Sequence, residues 1–495
     1  VAEREVKLAA SPSFRLPSFE DLADGVDAVP APDERLSTTY LDTDDLRLAR
    51  WGVSFRHRIG EGWTVKLPPE GDGALLVRGE FTFAGNGRRP PAQAVDLILG
   101  YMRTAELKAQ TRLKTIRRRI RLQDTDGRLV ADIVDDEVSV LDGRRIAARF
   151  RELEVEITDE TPPDLLEALV NRLRSAGAGA PDPTPKYIRA LGPRAALPAE
   201  VPLPALASGA TAGDVVRRAI AVSVARLIEH DAVVRLDTDP EGVHQARVAT
   251  RRLRSDLRTF RDLVGAEWAS ALRDELGWLA EILGDVRDGD VLLDRLRRRV
   301  ARLPEHHDRG ATLVLEALEA SRTKAHAELL HTLRSDRYLA LLDRLVEAAN
   351  APVLLLEADL PAIAVLPGFV RRPWRALAKR AKSVGEPPTD EELHAVRIRT
   401  KRARYAAEAV APLLGKPALA FADAAAELQE ILGELSDSVV AERWLRSWAS
   451  RSRSTRGVFV AGELAGLERA AAQKARARWP RAWEELSSPR LRSWM

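Results

Sequence analysis

The 495 residues include no cysteine, which excludes disulfides, thiolate metal sites and a cysteine nucleophile. No stretch approaches about 18 consecutive apolar residues, so no segment reads as a membrane-spanning helix. The opening residues "VAEREVKLAA" lack the hydrophobic core of a secretion signal. There is no P-loop lysine motif and no serine–histidine constellation for a covalent route. These absences lead to the expectation of a cytoplasmic protein. Net charge is nearly absent too: 77 basic and 74 acidic residues leave +3. Any message in the charge therefore lies in its distribution.

A chain this long exceeds one hydrophobic core and divides by composition. Residues 1–195 hold short alternating segments broken by turns such as "PPEGDG" and "DTDG", which predict strands. The proline-rich stretch 191–210 has no helical period, and its centre, 196–208, is the expected linker. From 209 to 495, long Ala/Leu/Arg-rich segments with three- and four-residue apolar spacing predict helices. "PVLLLEADLPAIAVLPG" interrupts them between two halves, about 209–350 and 366–495. The expected fold class is α+β, with an antiparallel β domain followed by an all-α domain.

The strands alternate unusually. Glu3, Glu5 and Lys7 share one face opposite Val6 and Leu8; Arg56 and Arg58 oppose Phe55 and Ile59. Lys66 opposes Trp63, Val65 and Leu67; Arg78 and Glu80 oppose Phe81 and Phe83. Glu152, Glu154 and Glu156 oppose Leu153, Val155 and Ile157. A solvated sheet face is the ordinary explanation of such alternation. Here, however, five segments place only Glu, Arg and Lys at successive positions, and opposed like charges destabilise a sheet unless neutralised. Paired Glu-x-Glu groups make a hard oxygen site suited to Mg2+ or Mn2+. Rows of Arg and Lys suit phosphate oxygens. Together they describe a metal-bound polyphosphate inside a closed, charged barrel.

"EREVK" resembles the Glu-x-Glu-x-Lys signature of the CYTH family, the triphosphate tunnel metalloenzymes. "FRHR", "VKLP", "RGE", "LKTIRRR", "DDEV", "ELEVE" and "PKY" follow in that family's order. The resemblance covers residues 1–192 and implies an eight-stranded antiparallel tunnel that binds a triphosphate with divalent metal. Its members hydrolyse inorganic or thiamine triphosphate, or cyclise ATP. By this resemblance Glu3, Glu5, Glu154 and Glu156 hold metal, assisted by Glu152. Lys7, Arg56, Arg58, Lys66, Arg78, Lys114 and Lys186 contact phosphate, and Glu80 and Asp136 orient them or support metal and water. The family usually has a second basic residue two positions after Lys114. This chain has Ile116 there, with Arg117 or Arg119 as replacements through a register change.

The helical half writes one motif twice, "VHQARVATRRLR" from Val243 and "LHAVRIRTKRAR" from Leu393. At 100° per residue, Arg247, Arg251, Arg254 and Arg258 fall within about 80° of His244. His394, Arg397, Lys401 and Arg404 align likewise, with Arg402 matching Arg252 at the flank. "LAEILGDVRD" (279–288) is echoed by "LQEILGELSD" (428–437), so the period indicates duplicated helical bundles. A basic stripe is usually a solvated face, but Asp256 is the only acid across 244–258. An uncompensated row repels itself and calls for a polyanion. Neither stripe interleaves the aromatics that nucleic-acid binding employs, and the apolar faces are needed by the bundle, not by lipid.

These two motifs resemble the histidine motifs of the CHAD domain, an all-helical module associated with polyphosphate, over 209–495. The resemblance implies that the histidines and basic residues just named bind inorganic polyphosphate, and it extends to an association with polyphosphate granules. The other histidines, including His306 and His307, are expected at the surface with no zinc site. Two readings stay open: a metal-dependent triphosphatase tethered to polyphosphate, or a polyphosphate-binding protein whose tunnel does not turn over substrate.

Overall fold

The computed structural model describes residues 2–20, 22, 23, 25–68, 76–158, 161–304 and 307–495. The side chains of Glu3 and Arg78, and all of His306, lie outside the described residues. The chain divides into two compact units at Glu200/Val201.

The first unit contains nine described strands: β1 (Ala2–Ala10), β2 (Val26–Pro30), β3 (Glu34–Asp42), β4 (Ser54–Arg58), β5 (Gly62–Lys66), β6 (Leu76–Phe83), β7 (Lys108–Asp124), β8 (Leu129–Asp142) and β9 (Arg145–Ile157). All their pairings are antiparallel. Their order is β2-β7-β3-β4-β5-β6-β1-β9-β8, and β8 also pairs with β7. Eight strands thus form a closed ring, while β2 pairs with the far end of the 17-residue β7.

Closure makes one face continuous. Residues paired across a ladder share a face, and the shared face can be followed around the ring. It runs from Lys7 to Glu154, from Glu152 to Asp136 and from Asp136 to Arg117. On the other side of the ring Thr38 pairs with Arg58, Tyr40 with Arg56, Arg56 with Thr64, and Lys66 with Glu80. Glu3 then pairs with Arg78 through the backbone. The charged face is the lumen. The opposite face carries Val6, Leu8, Leu122, Ile133, Leu153 and Val155, which pack under Leu165, Leu169 and Leu173 of α3 (Pro163–Ser175). Helix α2 (Ala92–Met102) covers β5 and β6. The short α4 (Lys186–Leu191) brings Tyr187 into an apolar cluster with Tyr40, Leu113, Val138 and Val140.

The second unit is helical: α5 (Ala212–Leu236), α6 (Pro240–Thr259), α7 (Ala266–Val300), α8 (Asp308–Leu333), α9 (Asp336–Asn350), α10 (Ala362–Lys382), α11 (Asp390–Leu414), α12 (Lys416–Ala449) and α13 (Thr455–Leu486). The predicted interruption is shorter than expected, because α10 already begins at Ala362 and carries Pro367 and Pro373 inside it. Thr211 and Thr389 each close a capping box, with Asp214 and Glu392, and so start α5 and α11. The basic motifs lie on α6 and α11, which pack on α7 and α12 and on each other. No described helix is long and apolar enough to cross a membrane.

Candidate functional site

The lumen is a lattice of opposed charge. Lys7 is buried on β1 and bridges Glu5, 3.1 Å away, and Glu154 of β9. Lys186, the first residue of α4, reaches Asp136, Glu154 at 2.9 Å and Glu152 at 3.3 Å. Arg117 holds Asp136 with two parallel bonds of 2.9 and 2.8 Å and approaches Glu154 at 3.4 Å. Across the ring, Glu80 lies between Arg56 at 3.4 Å and Lys66 at 3.3 Å. Arg58 donates to Thr38 and to Glu61.

Burial acts to raise the Glu154 pKa, but Lys186, Lys7 and Arg117 outweigh it and hold this carboxyl well below the usual range. Asp136 is lowered in the same way: Lys186 and Arg117 overcome its burial. Burial likewise acts to lower Lys7, yet Glu154, Glu5 and Glu152 raise its pKa well above the ordinary value. Both partners of each pair therefore carry full charge near neutrality. Glu152 differs: burial dominates and its pKa is raised.

Carboxylate oxygens of Glu5, Glu154 and Glu156 come within 4.8 Å of one another, close enough to share one metal ion. The donor set is oxygen only, which fits a hard divalent cation. Glu152 is outside this group. It faces Lys186 at 3.3 Å, with Arg189 at 3.8 Å, and neither of its buried carboxylate oxygens has a hydrogen-bond partner.

Lys114 is a correction. It is exposed and pairs across the sheet with Ser37 and Ser139, on the outer face of the barrel wall. Even-numbered Ile120 and Leu122 belong with the outer apolar core, so strand alternation sends Lys114 outward and Arg117 inward. Arg119 also faces in, with Asp132 at 3.9 Å. Asp132, Arg189 and Tyr40 are lumen residues that the sequence patterns did not single out. Tyr40 stacks on Tyr187 at 5.5 Å, and although burial opposes it, Arg56 and Lys186 lower its pKa.

In the helical unit, the two motifs line one cavity of about 740 Å³. His244, Arg247 and Arg251 enter from α6, and His394, Arg397 and Lys401 from α11. The Arg247 guanidinium passes Gly284 of α7, and that of Arg397 passes Gly433 of α12; a Cβ at either position would lie within 3.6–3.7 Å of it. Asp288 bonds Arg247 at 2.8 Å, and Asp437 faces Arg397 and Lys401. Gly284 and Asp288 match Gly433 and Asp437 in the second repeated segment, so the amino-acid sequence already carries this signal. Burial, then Arg397, Arg251 and Arg247, push the Lys401 pKa down to about 7. Burial and neighbouring arginines lower His244, and burial, Arg397 and Lys401 lower His394. Burial first, and the surplus of positive charge second, thus discourage protonation inside the cavity.

The rest of each stripe lies elsewhere. Arg252 and Arg404 both bind Glu408, at 2.9 and 2.6 Å. Arg254, Arg258 and Arg402 lie outside the cavity. A helical wheel groups them with the cavity residues because it ignores the partner helices. His326 is buried against the Val234 carbonyl, and His307 meets Glu463 at 3.0 Å, so neither is a free surface histidine.

A closed antiparallel ring around opposed carboxylates and cations, followed in the chain by a duplicated helical unit around a cationic cavity, defines a two-domain class of protein. Family models agree, matching the CYTH domain over residues 2–188 and the CHAD domain over 218–446. An uncharacterized protein of Mycobacterium tuberculosis strain H37Rv is 31% identical over 509 residues, spanning 98% of this chain and 96% of its own length. Among solved structures, the CHAD domain of the plant Ricinus communis aligns with 58% of this chain and 96% of its own, at 26% identity and TM-score 0.48. PptA from Streptomyces chartreusis aligns with 56% of this chain and 100% of its own, at 21% identity and TM-score 0.46. The chain belongs to the family that joins a CYTH domain to a CHAD domain.

Proposed function

We propose that the tunnel hydrolyses a triphosphate, inorganic triphosphate foremost, with Mg2+ or Mn2+, and that the helical cavity binds inorganic polyphosphate. The observation that carries the tunnel reading is the convergence of Glu5, Glu154 and Glu156 within 4.8 Å in a lumen walled by cations. Glu5, Glu154 and Glu156 would hold a divalent ion, which would supply neutralisation of phosphate charge and activation of water when bound. Lys7, Lys186, Arg117, Arg56, Arg58 and Lys66 stand ready to take phosphate oxygens, and their charges stabilise those that gain charge in the transition state. In the structure Lys7 and Lys186 neutralise the carboxylates, so substrate and metal enter by exchanging these ion pairs. The lattice is held in place by strand pairing, and little reorganisation is required at the moment of transfer.

In the cavity, six inward cationic or titratable groups on two helices meet Asp288 and Asp437 at the matching α7 and α12 positions. Arg287, Arg295 and Arg443 outnumber Asp390 and Glu391 in the rest of its charged lining. A chain of phosphates supplies closely spaced anionic oxygens without any need for base recognition. Phosphate release from inorganic triphosphate, ATP and thiamine triphosphate, with and without Mg2+ or Mn2+, tests the tunnel. Release from inorganic triphosphate that requires metal is the expected result. No release from any of the three at saturating metal overturns the catalytic reading.

A further inference from the structure

The outer wall of the barrel is covered only in part. Ile120, Ile133 and Leu153 belong to the apolar cluster under α3. Beyond them, toward the turn that joins β8 to β9, the outer face opens into a cavity of about 690 Å³. Its floor is built from two rows of paired residues. Ser37, Lys114, Ser139 and Arg149 follow one another across β3, β7, β8 and β9. Arg35, Ile116, Glu137 and Arg151 form the next row on the same strands. Paired residues share a face, and neighbouring strands lie about 4.8 Å apart, so each row is a short ladder of side chains. Arg35, Lys114 and Arg149 are exposed, whereas Ser37, Ile116, Glu137 and Ser139 are half-buried.

Charge in these rows is unevenly matched. Arg151 holds Asp135 through two bonds of 2.7 Å and donates to the Pro12 and Phe14 carbonyls, which fixes the loop at the cavity rim. Arg118 bonds Glu137 at 2.9 Å and approaches Asp135 at 3.5 Å. Two acids and two arginines thus compensate one another. Among the described residues Arg35, Lys114 and Arg149 have no carboxylate partner, and the Ser37 and Ser139 hydroxyls have no hydrogen-bond partner. An ammonium set between two hydroxyls, with a guanidinium to either side, presents converging donors to a tetrahedral dianion. The volume is that of a small organic molecule, larger than a lone phosphate requires. Ile116 supplies an apolar floor beside Lys114. Arg118 and Arg151 both address Oε1 of Glu137, which leaves Oε2 to accept hydroxyl groups.

We infer that this outer cavity binds a phosphate monoester with a hydroxylated body, a sugar phosphate in class. Arg35, Lys114, Arg149 and the two serines take the phosphoryl group, and Glu137 takes the hydroxyls. The site is on the opposite side of the wall from the lumen and shares no side chain with it. It therefore stands or falls independently of triphosphate hydrolysis and of polyphosphate binding.

The test compares the full chain with its Lys114→Ala/Arg149→Ala variant, both substituted positions being exposed. Glucose 6-phosphate, ribose 5-phosphate, glycerol 3-phosphate, inorganic phosphate and glucose are each titrated by calorimetry. The lumen and the helical cavity are identical in the two proteins, so binding there cancels. The expected result is that at least one ester binds the wild type and binds the variant roughly tenfold or more weakly. Inorganic phosphate is expected to bind more weakly than that ester, and glucose not at all. Glu137→Gln is expected to weaken the ester and leave inorganic phosphate unchanged. Equal ester affinity in the wild type and the double variant places the ligand elsewhere and overturns the inference, as does the failure of all three esters to bind. Inorganic phosphate that binds as tightly as the esters, with the same loss in the variant, reduces the site to a bare anion pocket and overturns the ester assignment. Glucose that binds as tightly as its phosphate ester removes the phosphoryl group from recognition and overturns it too.

Discussion

Arg117 and Asp136 sit directly opposite each other on β7 and β8 and hold a bidentate pair inside the lumen, at 2.9 and 2.8 Å. The same arginine reaches Glu154, one of the three carboxylates that converge for metal. On the proposed reading it therefore couples the cations that would meet phosphate to the carboxylates that would hold metal. Arg117→Ala is expected to lower kcat/KM for inorganic triphosphate by about 100-fold or more, the scale of losing one preorganised cation. Lys114→Ala, on the outer face, is expected to stay within about twofold of wild type, the usual consequence of a surface change. Equal losses in the two variants would put Lys114 back in the lumen.

Glu5→Gln and Glu154→Gln keep shape and remove a charged oxygen ligand. Each is expected to abolish metal-dependent turnover and to weaken metal binding measured directly by calorimetry, while the far-ultraviolet circular dichroism is retained. Wild-type rates at saturating metal in either variant would remove these residues from the metal site.

On the polyphosphate reading of the cavity, Lys401 is expected to make binding sensitive to pH. Its pKa of about 7 in the free cavity rises when an anion arrives, because the anion favours the charged amine. Below pH 7 the amine is already protonated and contributes no pH dependence. Above pH 7 binding takes up a proton, so affinity falls by up to about tenfold per pH unit from this group. Arg397, Arg251 and Arg247 face it with positive charge, and Asp437 faces it with negative charge. Lys401→Arg, which stays charged throughout, is expected to bind equally at pH 7 and pH 9. Titrations at pH 6.5, 7.5 and 8.5 measure the slope, and an identical slope in the arginine variant would assign it to other groups.

Asp256 is buried on α6 with both carboxylate oxygens lacking hydrogen-bond partners. Burial raises its pKa to about 8; Arg252 opposes the shift and Glu408 adds to it. The unfolded chain ionises near pH 3.9, so between about pH 4 and 8 the folded state binds more protons and stability declines as pH rises. Asp256→Asn removes that decline. The variant is expected to be more stable than wild type by roughly 2 kcal/mol at pH 8, and to lose the advantage by pH 4. Thermal unfolding at both pH values checks it; a variant less stable at pH 8 contradicts the assignment.

By itself the sequence determined the division into a strand half and a helical half, the charged face of each strand, and the doubling of the basic motif. All of these are local periodicities: two residues per repeat in strands, about 3.6 in helices, and a 150-residue echo. Even the register of β7 was legible, since Ile120 and Leu122 mark the outward face, but the Lys114-x-Ile116 spacing pointed the other way. Tertiary structure decided what no local pattern carries. Ring closure brought Arg117, Asp136 and Lys186 against Glu154, although they are separated by up to 69 positions from the first to the last. Helix packing divided each basic stripe, placing Arg251 and Lys401 in a shared cavity and giving Arg252 and Arg404 to Glu408. The physical reason is the same in both units. Alternation says which way a side chain points from its own element, whereas the partner it meets depends on which element the fold places opposite.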